Sequence, residues 1–528
     1  MHKIKGPPRR GNTAAGQGSA AAERSQAGAG QKGRKEAMNV ELFIFIIYLI
    51  FTVGIGVYFF FRSRKGGGEK EYFLGGRQMG PWVSALSAGA SDMSAWVLMG
   101  LPGSIYLYGI GQTWIAIGLA IGYTLSWIFE ARRLRRYSIA AKDSITIPQY
   151  LSNRFLSSSK AVQAICAVIF LVAYTIYAAS SISACGTLFE RVVGVDSHTA
   201  MYIAAAVIVA YTFMGGFSAV CWTDFFQGML MLAALLVAPI FALGLVNAGE
   251  SSAAMAQAGD GYWTLFTNWK DVASGLGWGL GYFGMPHIII RFMSVRSDKD
   301  IKKSAGIGIT WTILILGFSV AAGIIGRMMG DQILVASEGE AETVFIQMVR
   351  LIFPAAISGI LLSAILAASM STADSQLLAS ASAFASDVYK PILRKNKAED
   401  AELFWIGRLV VLIIALAALL IATDPNAGTI MGLVSNAWGV FGAAFGPTIL
   451  LSLFWRRLTF SGAVAGIVTG AAVDILWLVF LGGFGLYEIV PGFFCGLLAA
   501  VVVSLLSKAP GKDVTDLFDR VASGEDLA

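Results

Sequence analysis

The sequence predicts an all-α polytopic membrane protein, and three observations carry that prediction. Of 528 residues, 56% are hydrophobic and only 14% charged, with 60 glycines, a balance foreign to ordinary soluble domains. Apolar runs near twenty residues, long enough to cross a bilayer as helices, recur about thirteen times. Two of these runs are interrupted by glycines, and one holds a carboxylate, Asp92, in its middle. An acid near a bilayer centre costs about 3 kcal/mol or more, so by default it marks a solute or ion path.

Taken in order, the first run, 41–61, stops at Arg62, Arg64 and Lys65, with Lys70 and Arg77 beyond it. The second, 81–107, contains the glycine- and serine-spaced stretch from Ser84 to Gly100 around Asp92. The third, 110–130, ends at Arg132, Arg133, Arg135 and Arg136, and Lys142, Arg154 and Lys160 lead into the fourth, 161–190. The fifth and sixth are 199–215 and 224–247; the seventh, 273–293, is the second broken run. Arg291, Arg296, Lys299, Lys302 and Lys303 separate it from the eighth, 305–329. The ninth, 355–386, is followed by Lys390, Arg394, Lys395 and Lys397, and the tenth, 404–422, has Arg408 near its start. The eleventh, 428–455, meets Arg456 and Arg457; the last two, 461–481 and 485–507, precede Lys508, Lys512 and Arg520.

Cytoplasmic loops collect Lys and Arg, and all these basic groups share one side if the first span enters from outside. Only Arg191, Lys270, Arg327 and Arg350 fall on the other. An odd span count then leaves the amino end outside and the carboxyl end, 511–528, as a cytoplasmic tail. The net charge of +6 follows from this bias and needs no nucleic acid. Residues 1–37, rich in Gly, Ala, Ser and Gln with eight basic residues, read as a disordered basic tail that should resist export. Met38-Asn-Val-Glu-Leu reads as a natural start, which makes the preceding stretch an extended start; a tolerated flexible tail is the alternative. The transporter-like region is then 38–510. Cys166, Cys185, Cys221 and Cys495 are scattered without pairing or metal spacing and read as buried thiols.

The second broken run reads Ser274-Gly-Leu-Gly-Trp-Gly-Leu-Gly-Tyr-Phe-Gly-Met-Pro-His287. Glycines at 275, 277, 279 and 281 do not share a helical face, and Pro286 removes a backbone donor, so a helix break is expected. It lies five spans after the Asp92 run. Glycine-interrupted spans at matching places in two halves point to an inverted repeat, here five plus five, 81–247 against 273–455, with 41–61, 461–481 and 485–507 peripheral.

The ninth run carries hydroxyls inside an apolar helix; Ala368, Ser371, Thr372 and Ser375 lie at helical spacings of three and four, so one face carries two or three oxygens. A cation stripped of water needs such oxygens, joined by carbonyls from broken backbone near Ala90 and Met93, which points to a sodium site. Asp374, a second intramembrane acid, could complete a second cation site with Ser375, carry a proton, or pair with a Lys or Arg. Trp278 and Tyr282, four apart, and Tyr177 offer an aromatic surface for a small solute. Its carboxylate would meet free amides at half-helix ends, and its ammonium would be drawn to oxygens or ring faces. His2, His198 and His287 form no metal cluster and no Walker-type loop is present, so no enzyme chemistry, no cofactor and no ATP-driven pump is expected.

At these residues the chain resembles the solute:sodium symporter family, and within it the bacterial proline carriers. The likeness rests on Tyr72-Phe-Leu-Gly-Gly-Arg77; Ser87-Ala-Gly-Ala-Ser-Asp-Met-Ser94 with Leu98-Met-Gly-Leu-Pro-Gly103; Gly277-Trp-Gly-Leu-Gly-Tyr-Phe-Gly284; and Leu361 to Ala368 with Met370-Ser-Thr372. Gly215-Gly-Phe217, Trp222-Thr-Asp224 and Phe441-Gly-Ala-Ala-Phe-Gly-Pro447 extend it over essentially Met38 to Pro510. The resemblance implies a LeuT-type 5+5 inverted repeat with thirteen spans in a bacterial cytoplasmic membrane, and sodium-coupled uptake of proline. It implies that sodium is the coupling ion and the one metal, held by Ala90, Met93 and Ala368 through carbonyls and by Ser371 and Thr372. It further implies that Asp92 and Ser94 support sodium and substrate binding, that Tyr177, Trp278, Tyr282 and Pro286 line the proline pocket, and that Arg77 lies at the inner mouth. Two departures stand out: proline carriers often have Gln at the position of Met285, and Asp374 replaces a hydroxyl residue of enterobacterial relatives. Another amino acid or a small monocarboxylate is the alternative solute, and a membrane sensor built on the transporter fold is a rival of another class.

Overall fold

Inside a bilayer each backbone N–H and C=O must find its partner within the chain, and helices do this segment by segment. The computed structural model describes residues 15–63, 69–246, 249, 251–252, 256 and 258–524, and these are helical apart from turns and one isolated parallel bridge, Met79 with Val295. The principal helices are α1 (Ala15–Ser63), α2 (Pro81–Asp92), α3 (Gly100–Tyr108), α4 (Thr113–Leu125), α5 (Ala161–Val193), α6 (Ser197–Leu243), α7 (Trp269–Trp278) and α8 (Pro286–Ser294). They continue as α9 (Asp298–Met328), α10 (Ala355–Ser382), α11 (Asp400–Ala422), α12 (Ile430–Phe454), α13 (Phe460–Leu476), α14 (Ile489–Leu506) and α15 (Lys512–Ser523).

Where thirteen spans are expected, ten helices among the described residues are long and apolar enough to cross a membrane. The other three expected spans are those in which the helix is interrupted or bent. Run 81–107 is split into α2 and α3, run 273–293 into α7 and α8, and run 199–215 is the short first arm of α6, which bends at Gly216. Gly216 has φ 61° and ψ −173°, a conformation that L side chains rarely adopt.

Of the expected tail, 1–37, the described part begins at Ala15. Backbone helix runs without interruption from Ala15 into the first span, and residues 1–14 lie outside the described residues. Ala, Gln, Glu, Lys and Arg extend a helix that the apolar span has already nucleated, and both prolines of the segment precede residue 15.

The broken helices sit at the centre. α2 packs against α6, α8, α9 and α10; α7 packs against α4 and α14; the turn Gly279–Phe283 rests on α4 and α12. Glycine makes the last contact possible: a Cβ on Gly122 of α4 would lie 2.1 Å from the Gly279 carbonyl oxygen. α13 and α14 form an antiparallel pair laid against α12.

Candidate functional site: two broken helices and a hydroxyl-bearing helix

Proline at the first helical position starts α2 after an extended Gly80. The helix stops at Asp92 because Met93 takes φ −76° and ψ 72°, an inverse γ-turn in which the Ser94 N–H donates to the Asp92 carbonyl at 2.8 Å. Ser94 is extended, and its Oγ accepts from the Trp96 N–H at 3.5 Å, starting the short turn Ala95–Val97 that leads to α3. Ending a helix here releases carbonyls at its last turn. The Asp92 carbonyl takes two further donors, Trp96 Nε1 at 3.3 Å and the Tyr177 hydroxyl at 3.2 Å. The Ala90 carbonyl instead faces α10, where it accepts from Ser371 Oγ at 2.8 Å.

Ser371 Oγ also lies 3.1 Å from the Ala368 carbonyl. Three of the five expected sodium-binding residues, Ala90, Ala368 and Ser371, therefore meet within hydrogen-bond distance. Thr372 follows on the same helix, its Oγ1 buried with no hydrogen-bond partner. Met93 is fully buried in the turn that ends α2. Clustered neutral oxygens of this kind suit a hard monovalent cation.

Asp92 is fully buried, and its carboxylate reaches across to the other broken helix. The Tyr282 hydroxyl donates to Asp92 Oδ2, while Oδ1 has no hydrogen-bond partner. One residue thus joins α2, α5 through Tyr177, and the α7–α8 break through Tyr282. Trp278 stacks on Trp438 (centroids 6.3 Å), with tilted contacts to Trp96 (6.2 Å) and Tyr487 (5.1 Å), and its carbonyl accepts from Trp438 Nε1 at 2.8 Å. Above Trp278 opens a cavity of about 330 Å³ lined by Gly100, Ser104, Gln112, Met431, Ser435 and Tyr487 among others.

α8 begins as its sequence predicts, with Met285 extended and Pro286 at the first position. Its amides are nevertheless committed: His287 N–H donates to the Tyr174 hydroxyl at 2.9 Å, and Ile288 and Ile289 both donate to the Met285 carbonyl at 3.1 Å. A solute carboxylate expected at free half-helix amides finds none at these three positions.

Arg291, counted in the sequence among cytoplasmic loop charges, is corrected to a buried position with 2% exposure. Its Nε donates to Ser87 Oγ (3.1 Å), Nη1 to the His287 carbonyl (2.5 Å), and Nη2 to Asp224 Oδ2 (3.2 Å) and Ser375 Oγ (2.6 Å). Ser87 donates to Asp224 at 2.6 Å and Ser375 to Asp374 Oδ1 at 3.2 Å. This ionic knot joins α2, α6, α8 and α10 one helical turn from the Ala90–Ser371 contact. Arg291 lies two residues from the end of the apolar run, where a loop charge and a buried one look alike in sequence; Asp224, an acid opening an apolar run, carries the same signal as Asp92.

Arg77 lies apart from these oxygens. Its guanidinium bonds Asp143 Oδ1 (2.9 Å), Ser138 Oγ (3.0 Å), and the carbonyls of Met293 (2.6 Å) and Ser144 (2.8 Å). Burial lowers its pKa from the ordinary arginine value, and the neighbouring Asp143 opposes the shift.

Comparison with known proteins bears on the family and the fold. Residues 72–470 match the sodium:solute symporter family. The chain is 45% identical over 466 residues to the high-affinity proline transporter PutP of Bacillus subtilis, covering 87% of this chain and 97% of that one. It is 45% identical over 483 residues to the sodium/proline symporter of Escherichia coli, covering 90% and 95%. Among solved structures, a Na+-coupled sialic acid symporter in a substrate-bound outward-open state superposes with a TM-score of 0.74 at 21% identity, over 90% of this chain and 99% of that one. The length of the family match, the two bacterial relatives and the shared helical fold leave one conclusion: the chain belongs to the sodium:solute symporter family.

Proposed function

We propose that this protein carries proline into a bacterial cell together with sodium, by alternating access across the cytoplasmic membrane, with its amino end outside and its carboxyl end in the cytoplasm. The observation that carries the proposal is the Ser371 hydroxyl set between the Ala90 carbonyl at the break of α2 and the Ala368 carbonyl, beside an Asp92 tied to both Tyr177 and Tyr282. Sodium would lie among Ala90, Met93, Ala368, Ser371 and Thr372. It would take over the Ala90 carbonyl, tie α2 to α10, and so order the neighbouring pocket. Asp92 and Ser94 would couple the ion to the solute, because they set the position of the turn that carries Met93.

Proline would bind among Tyr177, Trp278, Tyr282 and Pro286, its ring against the aromatic faces and its ammonium drawn to oxygens and ring faces. Arg77 would order the inner mouth, where low cytoplasmic sodium favours release. One charge falling through 100 mV supplies about 2.3 kcal/mol, and a tenfold sodium gradient about 1.4 kcal/mol. For Asp374, the reading best supported is a link to Arg291 through Ser375, since Arg291 Nη2 approaches Ser375 Oγ at 2.6 Å. The guanidinium then takes the place a second cation would need.

Uptake of labelled proline by proteoliposomes tests the proposal: uptake should follow an inward sodium gradient, and sodium-independent uptake would overturn the coupling. A second reading, another amino acid or a small monocarboxylate, is favoured by the fully buried thioether of Met285 immediately before Pro286. Competition by unlabelled solutes separates the two.

A further inference from the structure

Asp474 of α13 and Glu488, at the start of α14, are two acids outside the site described above. Asp474 is fully buried and neither of its carboxylate oxygens has a hydrogen-bond partner. Glu488 is 8% exposed. Both converge on Gly439 of α12: a Cβ built there would lie 2.9 Å from Asp474 Oδ1, 3.4 Å from its Oδ2 and 3.4 Å from Glu488 Cγ. The two acids interact electrostatically, and no Lys, Arg or His among the described residues forms an ion pair with either. The amino end of α14 supports one negative charge beside Glu488. It leaves the second carboxylate, the buried one, uncompensated in a low-dielectric setting where a neighbouring like charge disfavours ionisation of both.

The geometry points to a site for one monovalent cation, sodium or a proton, held between Asp474 and Glu488 and separate from the Ala90–Ser371 site. Two flanking residues give it a route and a consequence. Tyr487, beside Glu488, and Ser435, one turn before Gly439 on α12, both line the cavity above Trp278. Tyr487 also binds that region together: its N–H donates to Ser274 Oγ at 2.9 Å, its hydroxyl to the Ser435 carbonyl at 2.7 Å, and its ring lies 5.1 Å from that of Trp278. A cation between the acids anchors the segment carrying Tyr487, and therefore the cover over Trp278. Occupancy raises solute affinity by this linkage, without the ion itself being carried.

The test uses the purified full chain and Asp474→Asn and Glu488→Gln variants, each first shown to keep the wild-type elution profile and melting temperature. Binding of labelled sodium is measured with no solute present, so the result does not depend on proline being the substrate. Loss of one bound sodium per chain in Asp474→Asn, with uptake still driven by sodium, supports a sodium occupant. An unchanged sodium count supports a proton occupant if half-saturating solute in the wild type shifts about threefold or more between about pH 6 and about pH 8 and the shift vanishes in both variants. If both variants match the wild type in sodium count and pH response, the pair holds no exchangeable cation and the proposal falls.

Discussion

The Ser371 hydroxyl donates to the Ala90 carbonyl oxygen at 2.8 Å, joining two helices whose residues stand 281 positions apart. A carbonyl inside an intact α-helix would already be occupied by its own ladder; this one is reachable because α2 ends two residues later. Ser371→Ala removes this bond and, under the proposed sodium site, one cation ligand. The expected outcome is a rise of about tenfold or more in half-saturating sodium, the equivalent of about 1.4 kcal/mol, with proline uptake at saturating sodium partly kept. An unchanged sodium dependence would remove Ser371 from the ion site.

Asp92 accepts from Tyr282 and presents its backbone carbonyl to Tyr177 and Trp96. Asp92→Asn should greatly raise the sodium needed for half-maximal uptake. Tyr282→Phe should act mainly on half-saturating proline, by about 1 kcal/mol or about fivefold. Uptake titrated separately in sodium and in proline tells these effects apart, and a variant that shifts neither is structural at that position.

In the knot around Arg291, the charge is balanced inside the protein rather than by solvent. Asp224→Asn leaves the buried guanidinium short of its carboxylate partner and should destabilise the fold by about 3 kcal/mol or more. A drop in melting temperature in detergent measures it. Asp224→Asn with Arg291→Met, which removes both charges of this pair, should recover part of the loss; no recovery would mean the two act independently.

Gly122 meets the Gly279 carbonyl so closely that an added Cβ would sit 2.1 Å from it. Gly122→Ala must push the Gly279–Phe283 turn away from α4, and with it Tyr282. Reduced solute binding together with a lower melting temperature is expected, and wild-type values for both would show that the turn yields without consequence.

Met285 places a buried thioether beside the start of α8. Met285→Gln adds an amide there and should strengthen proline competition relative to other amino acids, read as a shift in the ratio of their half-inhibiting concentrations. An unchanged ratio would separate this position from solute choice.

The membrane class, the two helix breaks, the exceptional acid at Asp92 and the hydroxyl run at 368–375 were legible in the sequence alone, because each is a local property of composition, period or backbone chemistry. Gly80-Pro81 and Met285-Pro286 each show where a half-helix starts, whatever lies around it. Tertiary structure decided which groups face one another. Arg291 reads as a loop charge until α6 and α10 bring Asp224 and Ser375 to its guanidinium; His287 and its neighbours read as open amides until Tyr174 and the Met285 carbonyl fill them. Asp474 sits within an apolar run that shows no partner for it, and only the packing of α13 and α14 on α12 brings it to Glu488. The physical reason is common to all three: the energy of a buried charge or polar group depends on partners distant in sequence, and those partners are set by how the helices pack.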